Sequence, residues 1–551
     1  MSAIRFTSLA ATVLLAAIPL GAQSTHSAHG AQPAAKTGSV PLLPNLGSWR
    51  RQMATTSPLA QRYFDQGLRL YYAFNHAESV RAFREAQRLD PQCVMCVWGE
   101  AVALGPNINA PMDSAAERQA MAATRRAVSM IARSKAGDRE AAMVRALEAR
   151  YVRGAAATRS GRDSAYAVAM SAIADAAQND VDVLTLAAEA SMDLSPWTYW
   201  TKEGTARPGT TRFLARLERG MRLAPDHPGA CHFYIHAVEA VQPERAVPCA
   251  ERLAKLMPGA GHIVHMPAHI YIRVGRWADA IAINKHAVHA DEQYFEGPHT
   301  PDAGFYAAAY ASHNHHFLVL ASVMAGNSAL AIESSRKVTQ LVTPALARQV
   351  AMVEPLLAIP AQTLVSFGQW DKVLSTPLPP SDLRVARAHA WYARGIAFAA
   401  TGRVEEARAV VDSIASVSRS MPEGEARMTL EIAALMVAGE IALRSRNAAS
   451  AVERFTKAVA LEDGLSYMEP PTWFYPVRHS LGKALLAAGR SRDAEAVYRE
   501  DLRRFPENGW SLFGLSKALG DQGRSSEAAA VERRFQNSWR LADIKLTSSR
   551  F

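Results

Sequence analysis

The sequence predicts an all-α fold in which antiparallel helical hairpins stack one on another. Three observations carry this prediction. Apolar residues recur at three- and four-residue spacing from Leu59 onward, whereas strand-like alternation is almost absent. A Gly-x4-Ala turn recurs, and Gly368 and Gly402, like Gly489 and Gly523, lie 34 residues apart. The chain has 551 residues, 49% of them hydrophobic, which is too long for one compact domain and fits a repeat array.

The first repeat lies at residues 61–91. Gly67 and Ser79 are small enough for two paired helices to approach closely, and Phe83 is placed to fill the gap between repeats. Pro91 ends the second helix, because the residue before a proline is disfavoured in a helix. These positions and the 34-residue period are those of the tetratricopeptide repeat (TPR), so we expect a TPR-type α-solenoid.

The N-terminus predicts export. Arg5 precedes a short apolar run, residues 9–20, and small residues follow where a peptidase would cut. The run is too short to span a bilayer, so we expect cleavage, a periplasmic or secreted protein and no stable membrane insertion. The predicted organisation is as follows: signal peptide 1–23, flexible leader 24–57, solenoid 58–551, with histidine-rich repeats at about 226–342 and C-terminal TPRs at about 382–540. Interruptions are expected near 195–208 and 291–301, where Pro, Gly and Thr gather.

The charge pattern disfavours a nucleic-acid partner, and the cysteine content offers disulfide candidates. The formal net charge is +10, but the basic residues are scattered along helices and no basic run is interleaved with aromatic residues. We therefore expect a solvated surface and no nucleic-acid partner. The four cysteines, Cys93, Cys96, Cys231 and Cys249, are disulfide candidates in an oxidising compartment. Cys93 and Cys96 lack the following histidine of a haem-attachment motif, so a local disulfide or two buried thiols is favoured.

The 17 histidines are unevenly placed. Three predicted helices each carry several of them in helical register, with one acidic neighbour. The candidate metal ligands are His232, His236, Glu239, His262, His265, His269, His313 and His316. Pro267 favours a helix that begins near His265 and leaves His262 on the entering loop. We expect these side chains to share one concave surface.

Two interpretations of this histidine cluster stay open. Imidazole is a common ligand for copper, zinc and iron, and carboxylates such as Glu239 often complete such sites. The rival is a metal-free polar groove that binds an acidic peptide or a small anion. Taken singly, each histidine is more often a packed or surface residue than a ligand.

The chain resembles a group of exported bacterial TPR proteins with histidine-rich central repeats. The matching segments are residues 73–109, 232–240, 259–280, 313–326 and 470–515. The resemblance implies a TPR fold and export, and it adds His76, Asn107 and Asn109 as ligand-binding candidates. It implies no particular substrate or reaction.

Arg478 is a further ligand-binding candidate, because a buried guanidinium needs partners. It would bind a carboxylate on a ligand or, as we favour, pair with a neighbouring acid.

Three functions compete. The first is a scaffold whose groove binds a peptide, a protein or a small molecule. The second is a metal-dependent oxidoreductase or hydrolase that uses the His/Glu cluster. The third is a structural assembly part without a ligand. The sequence contains no H-E-x-x-H, G-x-S-x-G, Walker or Rossmann motif, which disfavours the common enzyme classes.

Overall fold

Successive helices pack against their sequence neighbours throughout the computed structural model, which describes residues 40–151, 158–297 and 304–551. Within these ranges the only β pairing is two isolated bridges, Asn107–Ala110 and Trp200–Ala206. The predicted all-α solenoid of antiparallel hairpins is confirmed. The predicted signal peptide, 1–23, lies outside the described residues.

The helices follow in chain order. The N-terminal set is α1 Pro58–Tyr72, α2 His76–Leu89, α3 Val94–Ala103, α4 Ser114–Met130, α5 Asp138–Tyr151, α6 Arg159–Ala176, α7 Val181–Met192 and α8 Thr210–Leu223. The central set is α9 Pro228–Val238, α10 Val247–Leu256, α11 Gly261–His265, α12 Pro267–Arg273, α13 Trp277–Glu296, α14 Gly304–Tyr306, α15 Ser312–Met324 and α16 Ser328–Leu341. The C-terminal set is α17 Pro344–Gln349, α18 Ile359–Ser366, α19 Trp370–Ser375, α20 Arg384–Ala400, α21 Val404–Arg419, α22 Glu425–Arg444, α23 Ala448–Glu462, α24 Arg478–Ala487, α25 Ser491–Arg504, α26 Gly509–Asp521 and α27 Ser525–Ser538. Short 3-10 helices occupy Ile131–Arg133, Pro243–Ala246 and Ala351–Ala358, and a π-helix occupies Ala307–Ala311.

Small residues seat large aromatic rings between the helices. A Cβ added to Gly67 would lie 2.8 Å from the Phe83 ring, and one added to Gly99 would lie 2.3 Å from the same ring. The Ser79 hydroxyl donates a hydrogen bond to the Gly67 carbonyl oxygen at 2.6 Å. These contacts agree with the predicted close approach of α1 and α2, since no larger side chain would fit at either glycine.

The recurring turn glycines adopt left-handed backbone conformations. Gly402 has φ +80° and Gly523 has φ +75°, a region that side chains with a Cβ rarely adopt. Each follows the end of a helix and lets the chain reverse into the next one. The Gly-x4-Ala signal therefore located real hairpin turns.

Residues 40–57 differ from a free leader, because they make specific contacts with the first helices. Leu46 and Met53 are buried, and the Arg51 guanidinium donates hydrogen bonds to the carboxylates of Asp180 and Asp182. The Trp49 indole N–H also donates to Asp182. Residues 24–39 of the predicted leader lie outside the described residues.

The two expected interruptions have different outcomes. Residues 195–208 do form a non-helical connection between α7 and α8. The second expectation was wrong at its start, because α13 continues through Asp291 to Glu296. Asp291 is buried and accepts hydrogen bonds from Tyr306 and Asn314, which ties this end of α13 to the helices that follow. No helix in the described ranges has both the length and the apolar character that a membrane span requires.

Candidate metal centre

Six histidines from four central helices converge in the protein interior. α9 supplies His232 and His236, α11 supplies His262 and His265, and α12 and α15 supply one each, His269 and His313. The first five are at most 3% exposed. The centre is therefore buried between hairpins. The expectation that these side chains line an open concave surface was wrong.

A proline within the histidine segment shapes this convergence. The prediction that His262 lies on a loop was wrong, because α11 runs from Gly261 to His265. Met266 keeps α-helical angles, φ −50° and ψ −36°, so the chain continues almost straight into α12, with Pro267 at its first position. Proline is tolerated there because the first helical N–H needs no helical partner. His262, His265 and His269 consequently project into the same interior.

One group of three histidines comprises His232, His236 and His262. Each offers a ring nitrogen, and the three atoms all lie within 4.8 Å of one another. The Nε2 atoms of His232 and His262 are 3.2 Å apart. His232 Nδ1 lies 2.6 Å from the Tyr72 carbonyl oxygen, which can only accept, so Nδ1 carries the proton and Nε2 bears the lone pair.

A second group comprises His265, His269 and His313, whose ligand atoms also lie within 4.8 Å of one another. The Nε2 atoms of His269 and His313 are 3.4 Å apart. His265 Nδ1 lies 2.6 Å from Asn284 Oδ1. The Asn284 amide nitrogen donates to the Ala280 carbonyl oxygen, which fixes the amide orientation and leaves the proton on His265 Nδ1.

Two buried carboxylates orient histidines of both groups. Glu239 Oε1 is 3.1 Å from Nδ1 of His236, and Glu239 Oε2 is 2.6 Å from Nδ1 of His269. Glu469 Oε2 is 3.0 Å from the same His269 atom. Carboxylates in this position direct Nε2 inward and raise its basicity, as in carboxylate–histidine–metal arrangements. His236, Glu239 and His269 also form a third set that could hold an ion.

Burial controls the protonation of most of the cluster. It lowers the pKa of His232, His236, His262, His265 and His313 well below the usual histidine value, so these rings are neutral, the form that binds metals. His269 differs. Burial opposes its charge, but the Glu239 and Glu469 carboxylates outweigh burial and raise the His269 pKa to about 9.

Three ring nitrogens in the cluster are buried without a hydrogen-bond partner, among the residues described. They are His236 Nε2, His262 Nδ1 and His265 Nε2. A buried polar atom without a partner costs about 1–3 kcal/mol, and such atoms are rare in proteins. Because Nδ1 of His236 and of His265 holds the proton, Nε2 of these two rings carries a lone pair that no residue of the described ranges uses.

The predicted candidates do not all meet at this centre. His316, on the same helix as His313, belongs to none of the three-member sets found in the described ranges, and burial lowers its pKa to about 4. His76 stacks on Tyr71 and lies 3.5 Å from the Asn107 amide nitrogen. Asn109 donates its backbone N–H to the Asn107 side chain. These three residues form a neighbouring polar group, not part of the histidine sets.

Arg478 pairs with an acid, as favoured from the sequence. Its guanidinium donates two hydrogen bonds to the Asp463 carboxylate, at 2.8 and 2.7 Å. Such a two-fold pairing satisfies the buried charge, so the contact is structural within the chain.

The cysteines divide into one bonded and one unbonded pair. Cys93 and Cys96 form a disulfide, and Cys231 and Cys249 are buried free thiols. Both thiols pack against the Met221 sulfur. No cysteine belongs to a histidine set in the described part of the chain.

Sequence reasoning missed Glu469, Asn284 and Phe74. Glu469 lies 200 residues after His269, in the connection between α23 and α24, and no local pattern marks it. Phe74 packs its ring on His232 and His262, with centroids 4.5 and 5.5 Å away. The only sequence feature that could have marked Phe74 is its position two residues before the candidate His76.

A cleft of about 540 Å³ adjoins the centre. Its lining includes Trp197, Arg273, Tyr467 and Glu469. Glu469 contacts His269, and the Trp197 ring packs edge-on against His236 at 5.1 Å. The cleft is therefore lined by residues that contact one histidine of each group.

A family model supports the repeat assignment for the C-terminal helices. The tetratricopeptide repeat family model matches residues 382–420 and 479–541. A comparison with curated proteins finds no match. Among solved structures, the human IFIT1 dimer with m7Gppp-AAAA is similar at 12% identity and a TM-score of 0.33, covering 89% of this chain and 92% of that one. The human IFIT1 dimer with PPP-AAAA is similar at 13% identity and a TM-score of 0.31, covering 87% and 89%. The chain is thus an all-α protein of stacked helical hairpins that contains tetratricopeptide repeats at residues 382–420 and 479–541.

Proposed function

We propose that this protein is a TPR scaffold that holds a transition metal at the buried histidine centre and binds a peptide, protein or small ligand in the adjoining cleft. The observation that carries the proposal is the convergence of six imidazoles, three of which have a ring nitrogen without a hydrogen-bond partner among the described residues. Carboxylate, amide and carbonyl groups orient four of the six rings.

The spacing of the rings fits a metal site. In a tetrahedral site with metal–nitrogen bonds of 2.0–2.1 Å, two ligand nitrogens lie about 3.3 Å apart. The Nε2 pairs His232–His262 and His269–His313 lie 3.2 and 3.4 Å apart. Each distance also fits a hydrogen bond between two imidazoles, so the stronger support for a metal is that Nε2 of His236 and of His265 has no hydrogen-bond partner among the described residues.

The donor set restricts the metal. Neutral imidazoles suit copper, zinc and iron, whereas magnesium and calcium prefer oxygen ligands. Protons held on Nδ1 of His232, His265 and His236 leave Nε2 as the donor, so the ligand atoms are set before a metal binds.

Metal analysis tests the proposal. The full chain, loaded separately with zinc or copper and dialysed, is expected to retain metal that His232→Ala and His269→Ala lose, with helicity unchanged by circular dichroism. His286→Ala is the matched control, because His286 is an exposed histidine on α13. A native chain that retains no more zinc or copper than a histidine-free TPR protein would overturn the proposal.

A metal-dependent oxidoreductase or hydrolase is the second candidate. Three protein ligands leave an open coordination position, which catalytic metals use, and Glu469, which contacts His269, lines the adjoining cleft. Azide added to the copper-loaded protein tests for that position. A new charge-transfer absorption would favour an enzyme, whereas an unchanged spectrum would favour the scaffold.

We further propose export to a periplasm or out of the cell, on the strength of residues 1–23. Mass spectrometry of the protein from its source should give a mature N-terminus shortly after Ala22. An intact Met1 would contradict export by cleavage.

A further inference from the structure

The geometry points to a two-ion centre, with one ion held by His232, His236 and His262 and a second by His265, His269 and His313. This inference rests on the proposed metal function and adds the number of ions and the division of the ligands.

The two groups share no histidine. In the described residues, the sets whose ligand atoms all lie within 4.8 Å of one another have three members each, and these two sets use six different rings. Each set also contains one Nε2 pair at the spacing of a tetrahedral site, 3.2 Å in the first and 3.4 Å in the second. Each group therefore has the minimum protein ligation of a histidine-bound metal by itself.

The groups lie side by side. Ring centroids of His236 and His269 are 5.3 Å apart, and those of His262 and His265 are 5.9 Å apart. These distances across the boundary are close to those within a group, such as 4.9 Å for His232 and His262. Two bound ions would consequently be neighbours and interact magnetically if paramagnetic.

Glu239 joins the two groups. One carboxylate oxygen lies 3.1 Å from His236 Nδ1 and the other lies 2.6 Å from His269 Nδ1. Glu239 thereby hydrogen-bonds one ligand of the first group and makes a charge contact with one ligand of the second, whose Nδ1 hydrogen-bonds Glu469. Glu239 and Glu469 also bring two negative charges into a buried site, which offsets part of the cost of burying two cations.

A single shared ion is the competing arrangement. It would lie among His236, Glu239 and His269, the third set. That arrangement would replace two short carboxylate–imidazole contacts and would leave Nε2 of His265 without a role. Ligand variants separate the two arrangements, because His262 and His265 belong to different groups and neither is in the shared set.

The experiment counts copper in the full chain. The native protein, loaded with copper and dialysed, is expected to hold two ions by mass spectrometry of the metal, with a Cu(II) electron paramagnetic resonance signal that is weakened or broadened by coupling. His262→Gln and His265→Gln should each hold one ion and show a sharp isolated Cu(II) signal. Glutamine keeps most of the side-chain volume, and His286→Ala again serves as control.

Four outcomes are decisive. Two ions, reduced to one in each single variant and to none in the double variant, support the two-ion centre. One ion in the native protein overturns the two-ion centre but leaves the proposed metal function standing. Retention of neither copper nor zinc overturns both. Native-protein spectra without coupling, at two ions per chain, would also contradict neighbouring ions.

Discussion

Glu469 Oε2 lies 3.0 Å from Nδ1 of His269, although 200 residues separate the two along the chain. The contact joins the connection before α24 to α12 and closes one side of the histidine centre. Tyr467 donates a hydrogen bond to the other Glu469 oxygen, and Arg273 lies 3.7 Å from it. The C-terminal repeats thus supply an orienting group to a site whose rings all come from the central repeats.

Replacement of this carboxylate should weaken the metal site. Glu469→Gln removes the charge that orients His269 Nδ1, and we expect metal affinity to fall about 10–100-fold, as for other orienting partners of histidine ligands. Competition with a chelator of known affinity measures the change. Glu462→Gln is the control, because Glu462 lies in the same cleft but accepts from the Val477 N–H. Equal losses in both variants would contradict a specific role for Glu469.

A tryptophan should report metal binding. The Trp197 ring packs edge-on against His236 at 5.1 Å, so Cu(II) at the first group would quench its fluorescence. We expect Trp197→Phe to remove more of the copper-induced quenching than Trp539→Phe, since Trp539 packs against Trp510 near the C-terminus. Fluorescence titration with copper compares the two variants. Identical quenching in both would place the bound copper away from His236.

The close approach of Gly99 to the Phe83 ring should be important for stability. In Gly99→Ala the new Cβ would lie 2.3 Å from the Phe83 ring, and we expect the free energy of unfolding to fall by about 1–3 kcal/mol through overpacking. Urea denaturation measures it. Gly520→Ala, in α26, is the matched control, because nothing lies within 4 Å of its added Cβ; helix propensity should make that variant neutral to slightly more stable. A neutral Gly99→Ala would show that Phe83 can move.

Asp182 should make stability depend on pH. Burial alone would raise the Asp182 pKa, but hydrogen bonds and charge from His227, Arg51 and Tyr72 hold it far below the usual value. A carboxyl with a depressed folded-state pKa stabilises the fold above its unfolded pKa of about 3.9 and loses that contribution as the pH falls towards the folded-state pKa.

Asp182→Asn tests this linkage. We expect a loss of about 3–5 kcal/mol near pH 6, because a buried pair is broken, and a smaller difference from the native chain at pH 3. Urea denaturation at both pH values measures it. Asp175→Asn is the control, because the Asp175 side chain is 56% exposed and its ion pairs should contribute little. A difference for Asp182→Asn that stays constant from pH 6 to pH 3 would contradict the depressed pKa.

The spacing of residues along the sequence predicted the hairpins and two of the histidine pairs of the centre. The turn glycines, the Phe83 contacts and the pairs His232/His236 and His265/His269 were all readable from the sequence, because helical periodicity places residues four apart on one face. The same rule fixes any feature that lies within one or two helices.

Only the tertiary structure decided which rings meet and what orients them. His313 enters a set while His316, three residues later, does not; Asn284 and Glu469 orient ligands without any sequence signal. The sequence alone set the register within each helix. The packing of whole hairpins decided that the histidines are buried together and share Glu239. Contacts between helices far apart in the chain follow from such packing and not from local spacing.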